Sequence, residues 1–216
     1  SSASASESTG EPTVAVRGKV VGKWGDASSA AIAGVKVEVL GAPELFDVTD
    51  DVGAFELLGV TPGVPIHIAA RPSAIYLGGI VGVDVTYQDL ADVVLLRPAR
   101  LEVQQLSDQL VEQDENAAID PAQGGVFAIS DRMETSVTLI PATGRRFALD
   151  GMSVPVLDAD VTANFLVPMV AFYDLGPHAA GELELGATHP QAACTVPHPH
   201  PPVEANHMTL VTIDCG

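Results

Sequence analysis

The sequence predicts an all-β fold in which two tandem β-sandwich domains are joined by a short helix. Short β-branched and apolar runs alternate with Gly, Pro and Asp turns, which is typical of sandwiches. One segment alone has convincing helical spacing, and strand-like runs resume after it. The predicted organisation is a flexible N-terminal tether (1–12), a first sandwich (13–99), a connecting helix and linker (100–120) and a second sandwich with one disulfide (121–216).

The first sandwich has six predicted strands. The clearest is 35–39, where Val35, Val37 and Val39 share one face while Lys36 and Glu38 share the other. Such strict alternation predicts a strand that is buried on one face and solvated on the other. The other predicted strands cover residues 13–21, 54–58, 65–70, 81–85 and 92–96.

The predicted helix covers residues 101–113. Its apolar residues at 103, 106, 110 and 111 fall on one helical face, and Pro121 marks the end of the linker that follows. The segment is therefore expected to form a connecting helix of about three turns.

The second sandwich is predicted from a further series of short strands. Glu182 and Glu184 alternate with Leu183 and Leu185, which indicates another half-exposed strand. The order of features weakly repeats that of the first half, which favours two similar domains. The predicted strands cover residues 125–129, 136–140, 146–149, 154–157, 163–167, 169–173, 181–185 and 210–213.

Three motifs of the first half, in 33–40, 49–58 and 60–63, have the order "GV-x-V", "TD-x-x-G-x-F" and "V-x-P-G". Residues 14–97 thereby resemble a carboxypeptidase regulatory-like domain, a transthyretin-like, Ig-like β-sandwich of secreted bacterial proteins. The second half is similar but lacks the clean central motif. The resemblance implies a non-catalytic spacer, stabiliser or adhesion unit.

The turn chemistry of the first half can also be predicted from its residues alone. Gly53 can supply a positive φ in the hairpin turn, and Gly63 can close the next tight turn. Phe55 and Leu57 should then point into the core.

The charge balance excludes some classes of partner. There are 10 Lys and Arg residues against 28 Asp and Glu residues, a formal net charge of −18. Sequence-independent binding of nucleic acid requires a basic face, so no nucleic-acid partner is expected. The same charge disfavours anionic membrane surfaces, and no run approaches the roughly 20 apolar residues of a transmembrane segment.

The chain starts at Ser1 with a Ser-rich stretch, which is expected to follow a removed signal peptide or a lipid anchor upstream of Ser1; an artificial boundary is the alternative. Its two cysteines, Cys194 and Cys215, both lie in β-like stretches. They are expected to form a disulfide and so to indicate an extracellular or cell-surface location. Two free thiols, a metal site and an intermolecular bond are the alternatives.

No catalytic signature occurs, so an enzyme is not expected and no cofactor is required. The candidate binding site is a His-rich loop, 189–208, whose imidazoles suit zinc or copper. The alternative is an exposed polyproline-like loop that tolerates histidine. The candidate metal ligands are His189, His198, His200 and His207.

Other polar and aromatic features favour structural interpretations. The carboxylates of Asp47, Asp50 and Asp51 could bind calcium but fit turn chemistry better, and Asp158 and Asp160 fit a solvated strand edge. Gly78–Gly82 is interpreted as a turn. Trp24 is predicted to pack as a lid on the sandwich, with an exposed contact as the alternative.

Together these observations predict a non-catalytic extracellular structural or adhesive protein, with a cell-surface filament as the boldest hypothesis. Partners would be copies of itself or other cell-surface proteins. The tail of one subunit would pair with a sheet edge of the next; a tail folded back on its own domain, or held by a crystal contact, is the alternative. The competing hypothesis is an extracellular binding module for a divalent metal or a glycan.

Overall fold

The computed structural model describes residues 12–22 and 31–216. The tail 1–11 and Trp24, and with them the predictions made for both, lie outside these residues. The described chain is all-β apart from the helix α1, Arg100–Val111. The strands are β1 (Val14–Val21), β2 (Lys36–Val39), β3 (Ala42–Val48), β4 (Ala54–Val60), β5 (Pro65–Ala70), β6 (Gly78–Asp84), β7 (Leu90–Leu96), β8 (Gly124–Ser130), β9 (Ser136–Ile140), β10 (Arg145–Leu149), β11 (Pro155–Leu157), β12 (Met169–Leu175), β13 (Glu184–Thr188) and β14 (His207–Ile213).

The first half is a β-sandwich of three strands against four. One sheet has the order β4-β1-β7, and the facing strands have the order β6-β5-β2-β3. The valines of β1 and β2 meet Phe55, Leu57 and Leu95 between these layers in one buried cluster. The predicted core positions of Phe55 and Leu57 are confirmed, since both side chains are buried.

The second half packs five strands, in the order β11-β10-β12-β8-β14, against the pair β13-β9. Leu183 and Leu185 are buried in its core, while Glu182 and Glu184 are exposed, as the alternating pattern predicts. The core also contains Val126, Val170, Phe172 and Val211. Both halves are therefore β-sandwiches, and the predicted fold class is confirmed.

A single strand makes the two halves share a sheet. The C-terminal strand β14 lies between β8 and β6 and runs parallel to both. The five strands of the second half and the four strands of the first half consequently form one nine-stranded sheet. The predicted link consisted of a helix and linker only, whereas the halves are also joined by continuous backbone hydrogen bonding.

Helix α1 packs on this sheet through its apolar side. Leu110 is fully buried with Phe147 and Tyr173, and Leu106 packs against the same cluster. Val111 is partly exposed, so the buried stripe is narrower than predicted. Within the described residues, no helix combines the length and apolar character needed to cross a bilayer.

One predicted strand is absent from the structure, and one strand of the structure was not predicted. Residues 163–167 form a loop, because the buried Asn164 side chain accepts hydrogen bonds from Leu166 N and Val167 N and donates to Asp150 O. Such hydrogen bonds from a side chain to nearby backbone groups compete with the backbone hydrogen bonds that a strand would make to its neighbour. Conversely, β3 was missed because its mixture of Pro, Glu and Asp conceals an edge strand.

The predicted positive φ at Gly53 is confirmed at +73°. A Cβ at this position would also lie 2.9 Å from Val20 O. We expect Gly53→Val to lower the free energy of unfolding by about 1–3 kcal/mol, measured by urea denaturation. Gly34→Ala is the control, since its φ is +69° but a Cβ there meets nothing within 4 Å. An unchanged midpoint for Gly53→Val would show that the turn can relax.

Candidate functional site at the junction of the two halves

The junction is built around the parallel pairing of β14 with β6. The register runs from His207 opposite Gly78 to Leu210 opposite Val81. On its other edge β14 continues along β8 as far as Ile213 opposite Ser130. Because β14 supplies hydrogen bonds on both edges, loss of this strand would expose the edge of β6 in the first half and the edge of β8 in the second half.

The absence of a side chain at residue 78 makes room for the imidazole of His207 at this seam. A Cβ at residue 78 would lie 2.0 Å from Cδ2 of His207. His207 is buried, and its Nδ1–H donates to Ala205 O at 2.8 Å. Burial is the main cause that lowers the pKa of His207, so the ring is neutral at neutral pH.

A proline- and histidine-rich segment of the second half, residues 197–203, starts over the β5–β6 surface of the first half, where residues 197–200 share a cavity with Pro65, His67 and Asp84. His198 packs on Gly82, where a Cβ would be 2.5 Å from the ring Cγ. His67 is opposite Gly82 in the sheet, and its ring centroid is 6.3 Å from that of His198. Asp84 Oδ2 lies 3.9 Å from His198 Nε2. His67, Asp84 and His198 line an open cavity of about 360 Å³.

An ion-pair network also joins the halves. Arg71 of the first half pairs with Glu204 of the second at 2.5 Å, and it also pairs with Glu38, whose second partner is Lys36. The expected solvent exposure of Glu38 is wrong, because this carboxylate is buried under the junction. Burial alone would raise the pKa of Glu38, but the hydrogen bonds from Lys36 and Arg71 outweigh it and lower that pKa.

The four candidate metal ligands lie in different surroundings. His198 and His200 line the junction cavity, whereas His207 is enclosed at the β14–β6 seam. His189 accepts a hydrogen bond from Gln191 N in its own turn. Across residues 12–22 and 31–216, no three His, Cys, Asp or Glu side chains lie where they could together hold a metal ion. Zinc or copper binding by these four histidines therefore stays a prediction.

Cys194 and Cys215 are joined by a disulfide. Cys215 lies two residues beyond the end of β14 and is fully buried. The residues next to the two cysteines, Thr195 and Asp214, form an isolated β-bridge. The bond closes the stretch of chain that contains the 197–203 segment. The disulfide therefore restrains both ends of the chain stretch that contains this segment.

The acidic side chains serve local structure. Asp50 Oδ1 accepts hydrogen bonds from Val52 N and Ala54 N, as in an Asx turn, and Asp47 accepts from Val48 N and Glu56 N. Asp160 lies 3.7 Å from Arg146, and the carbonyl oxygen of Asp158 accepts a hydrogen bond from the same arginine. The segment 78–82, interpreted as a turn, belongs to strand β6.

Sequence reasoning missed the first-half residues of the junction. His67 lies in β5, where its neighbours Ile66 and Ile68 suggested an ordinary strand. Asp84 ends β6, and Arg71 directly follows β5. The available signal was the set of glycines 78, 79 and 82 in one strand, because glycine inside a strand often marks close approach by another group.

We expect acid to destabilise this junction. The pKa of His67 is lowered from 6.5 to about 4, mainly by burial and secondarily by the nearby His198. Because the folded state favours neutral imidazole, the stabilisation is complete above pH 6.5 and is lost as the pH falls towards 4. The loss for partly exposed His67 should be about 1–2 kcal/mol.

Urea denaturation at pH 7 and pH 5 measures this effect. His67→Gln should reduce the pH dependence, while His178→Gln, whose ring bonds locally to Gly176 O, should leave it unchanged. An equal loss of stability on acidification in wild type and His67→Gln would contradict the assignment.

No protein-family model matches this chain, and no curated protein matches it significantly. Many solved structures show weak similarity, among them the following three. The TIE protein of Bacillus anthracis is 10% identical with a TM-score of 0.31, and the match covers 94% of this chain and 34% of that one. The shaft pilin SpaA from Lactobacillus rhamnosus GG is 9% identical with a TM-score of 0.26, covering 94% of this chain and 98% of that one.

The Streptococcal ancillary pilin is 10% identical with a TM-score of 0.30, covering 96% of this chain and 64% of that one. This chain thus spans about a third of the length of the first of these proteins and just under two thirds of the third. The identities and scores are too low to assign a function to this chain.

Proposed function

We propose that this protein is a non-catalytic structural or adhesive subunit that works outside the cell, in a cell-surface assembly. The observation that carries the proposal is the position of β14, which pairs in parallel with β6 on one edge and with β8 on the other. A shared strand couples the unfolding of the two halves and removes a flexible hinge between them. Such stiffness suits a subunit that maintains spacing or transmits force.

The junction contacts support the same role. Two ion pairs and the disulfide lie near the shared strand. Arg71 pairs with Glu204 of the second half and with Glu38 of its own half, and the disulfide lies within the second half. Disulfides persist in oxidising compartments, which favours an extracellular setting. The shifted pKa values of Glu38, His67 and His207 at the junction have structural causes, namely burial and contacts with neighbouring charged or imidazole groups.

An exposed apolar patch supports contact with a neighbouring subunit. Met152, Phe165 and Leu166 are 82%, 66% and 70% exposed. Their two loops are tied together by the buried Asn164, which donates to Asp150 O and Ser153 Oγ. Exposed apolar groups on ordered loops are typical of protein–protein contacts. We assign this patch to contact with a second copy of the chain.

Sedimentation and electron microscopy at increasing protein concentration test the proposal. Wild type should form ordered oligomers, and the triple variant Met152→Ser/Phe165→Ser/Leu166→Ser should remain monomeric. Leu101→Ser, at an equally exposed site on α1, is the matched control and should assemble normally. A monodisperse wild-type monomer at high concentration would contradict self-assembly.

In the filament version of the proposal, the N-terminal tail joins neighbouring subunits, as predicted from the sequence. Residues 1–12 of one subunit would add as a strand to a sheet edge of the next, which gives an open chain of subunits. Deleting residues 1–12 should then abolish filaments while leaving the folded unit stable. Equal assembly of truncated and full-length protein would restrict the proposal to contacts between the folded parts.

A further inference from the structure

We infer that strand β9 is the sheet edge that accepts the N-terminal tail, residues 1–11, of a neighbouring subunit. The site is an open slot of about 490 Å³ beside β9, and its walls include Leu139 of β9, Ala142 of the following loop and Arg146 of β10. The inference rests on the proposed assembly, for which it specifies the surface that receives the tail.

The backbone of Leu139 faces this slot. Val137 N–H donates to Asp160 O at 2.8 Å, so Val137 directs its backbone groups away from β13. Alternate residues of a strand direct these groups to the same side. Leu185, the partner of Leu139 in β13, likewise donates away from the pair, to Pro199 O. The N–H and C=O groups of Leu139 are therefore free of the β9–β13 pairing and available to an added strand.

The edges of the first sandwich are protected against such an addition. The carboxylate of Asp47 caps two of them, because it accepts hydrogen bonds from Val48 N of β3 at 2.8 Å and from Glu56 N of β4 at 2.7 Å. The third edge, β7, contains Asp92 at a φ of +61°, and its pairing with β1 is irregular there. Capped and irregular edges disfavour the addition of a further strand.

Two of the edges in the second half are also unsuitable. Strand β11 has only three residues and begins with Pro155, which has no N–H group. Strand β13 is covered where Pro199 O accepts its hydrogen bond. Strand β9 is covered only at its start, by residues 160–161, and the slot opens beyond them. Among the sheet edges of the described chain, residues 138–140 of β9 are thus left to accept a strand.

The tail fits this slot in length and chemistry. Eleven residues precede the described chain, and an extended chain of that length spans about 36 Å, enough to reach a neighbouring subunit and place three residues in the slot. Ala3 and Ala5 alternate with serines, and such small side chains allow two backbones to approach closely. Arg146 is 3.7 Å from Asp160, which leaves guanidinium donors for a carboxylate such as Glu7. Main-chain hydrogen bonds supply the affinity of an added strand.

Binding of a synthetic peptide of residues 1–12 to the protein that lacks them tests the slot without requiring assembly. In NMR spectra, hydrogen exchange of the Leu139 amide should slow by about tenfold at saturation, the equivalent of one added hydrogen bond. A peptide with Glu7→Lys should bind about fivefold more weakly, the upper range for an exposed ion pair. Absence of binding, or an effect of the peptide confined to β3 or β7, would overturn the inference.

Full-length variants test the slot in the assembly. Ala142→Trp should fill the slot and abolish both peptide binding and filament growth, and Arg146→Gln should weaken peptide binding about fivefold. The matched controls are Ala179→Trp and Arg17→Gln, at exposed sites outside the slot, and both should behave as wild type.

The outcomes separate the slot from the proposed function. Filaments that require residues 1–12 but grow normally in Ala142→Trp would overturn the slot and leave the proposed assembly standing. Protection of the Leu139 amide in a full-length monomer would show that the tail folds back on its own subunit, which would overturn the neighbour as its source. A wild type that binds the peptide but never assembles would contradict the proposed function, and with it the transfer of the tail between subunits.

Discussion

Gly78→Ala should lower the free energy of unfolding by about 1–3 kcal/mol, the usual range for overpacking a buried site. The added methyl group would lie 2.0 Å from Cδ2 and 2.4 Å from Nε2 of the buried His207 ring. The ring has little room to retreat, because it is enclosed at the start of β14 and its Nδ1 is bonded to Ala205 O. The expected result is a weakened β6–β14 seam, measured by urea denaturation.

A double-mutant cycle distinguishes this clash from a general intolerance of alanine. His207→Ala should cost stability in wild type but much less in the Gly78→Ala background, with a coupling of about 0.5–3 kcal/mol. Gly176→Ala is the control, since a Cβ there meets nothing within 4 Å, and it should stay within about 0.5 kcal/mol of wild type. Additive effects of Gly78→Ala and His207→Ala would show that the ring is not the obstacle.

The parts of the fold predicted correctly from sequence depend on short-range patterns. The alternation of Val35, Val37 and Val39 identified a buried strand face, and Gly53 identified a positive-φ turn, because both features follow from neighbouring residues. The loop at 163–167 was mistaken for a strand because Asn164, a single residue, redirects the backbone through side-chain hydrogen bonds. Composition alone does not show whether such a side chain turns inward.

The junction depends on contacts between residues far apart in the chain. Nothing local indicates that β14 pairs with β6 and β8, since parallel neighbours need not be close in sequence. Glu38 was expected to be exposed because its own strand alternates, but it is buried and paired with Arg71, which in turn pairs with Glu204 of the second half. The same long-range contact brings His67 towards His198, and no spacing rule within the His-rich loop could include it.

Replacing both cysteines by serine should lower the free energy of unfolding by about 3 kcal/mol, the value expected in the chain-entropy model for a closed loop of about this length. The residues are separated by 21 positions, and the loop contains the 197–203 segment, whose start lies over β5 and β6. Because Cys215 lies only two residues beyond the end of β14, the bond also limits fraying of the strand that joins the halves. The variant should therefore lose stability mainly at the junction.

Urea denaturation with and without reductant measures this loss. Reductant should bring the midpoint of wild type close to that of Cys194→Ser/Cys215→Ser, while the variant itself should not respond. Hydrogen exchange should become faster in β14 and β6 than in β1 and β4, which lie away from the seam. Equal acceleration of exchange in all four strands would mean that the disulfide stabilises the fold only by restricting the unfolded chain. Two free thiols in the untreated protein would contradict the disulfide itself.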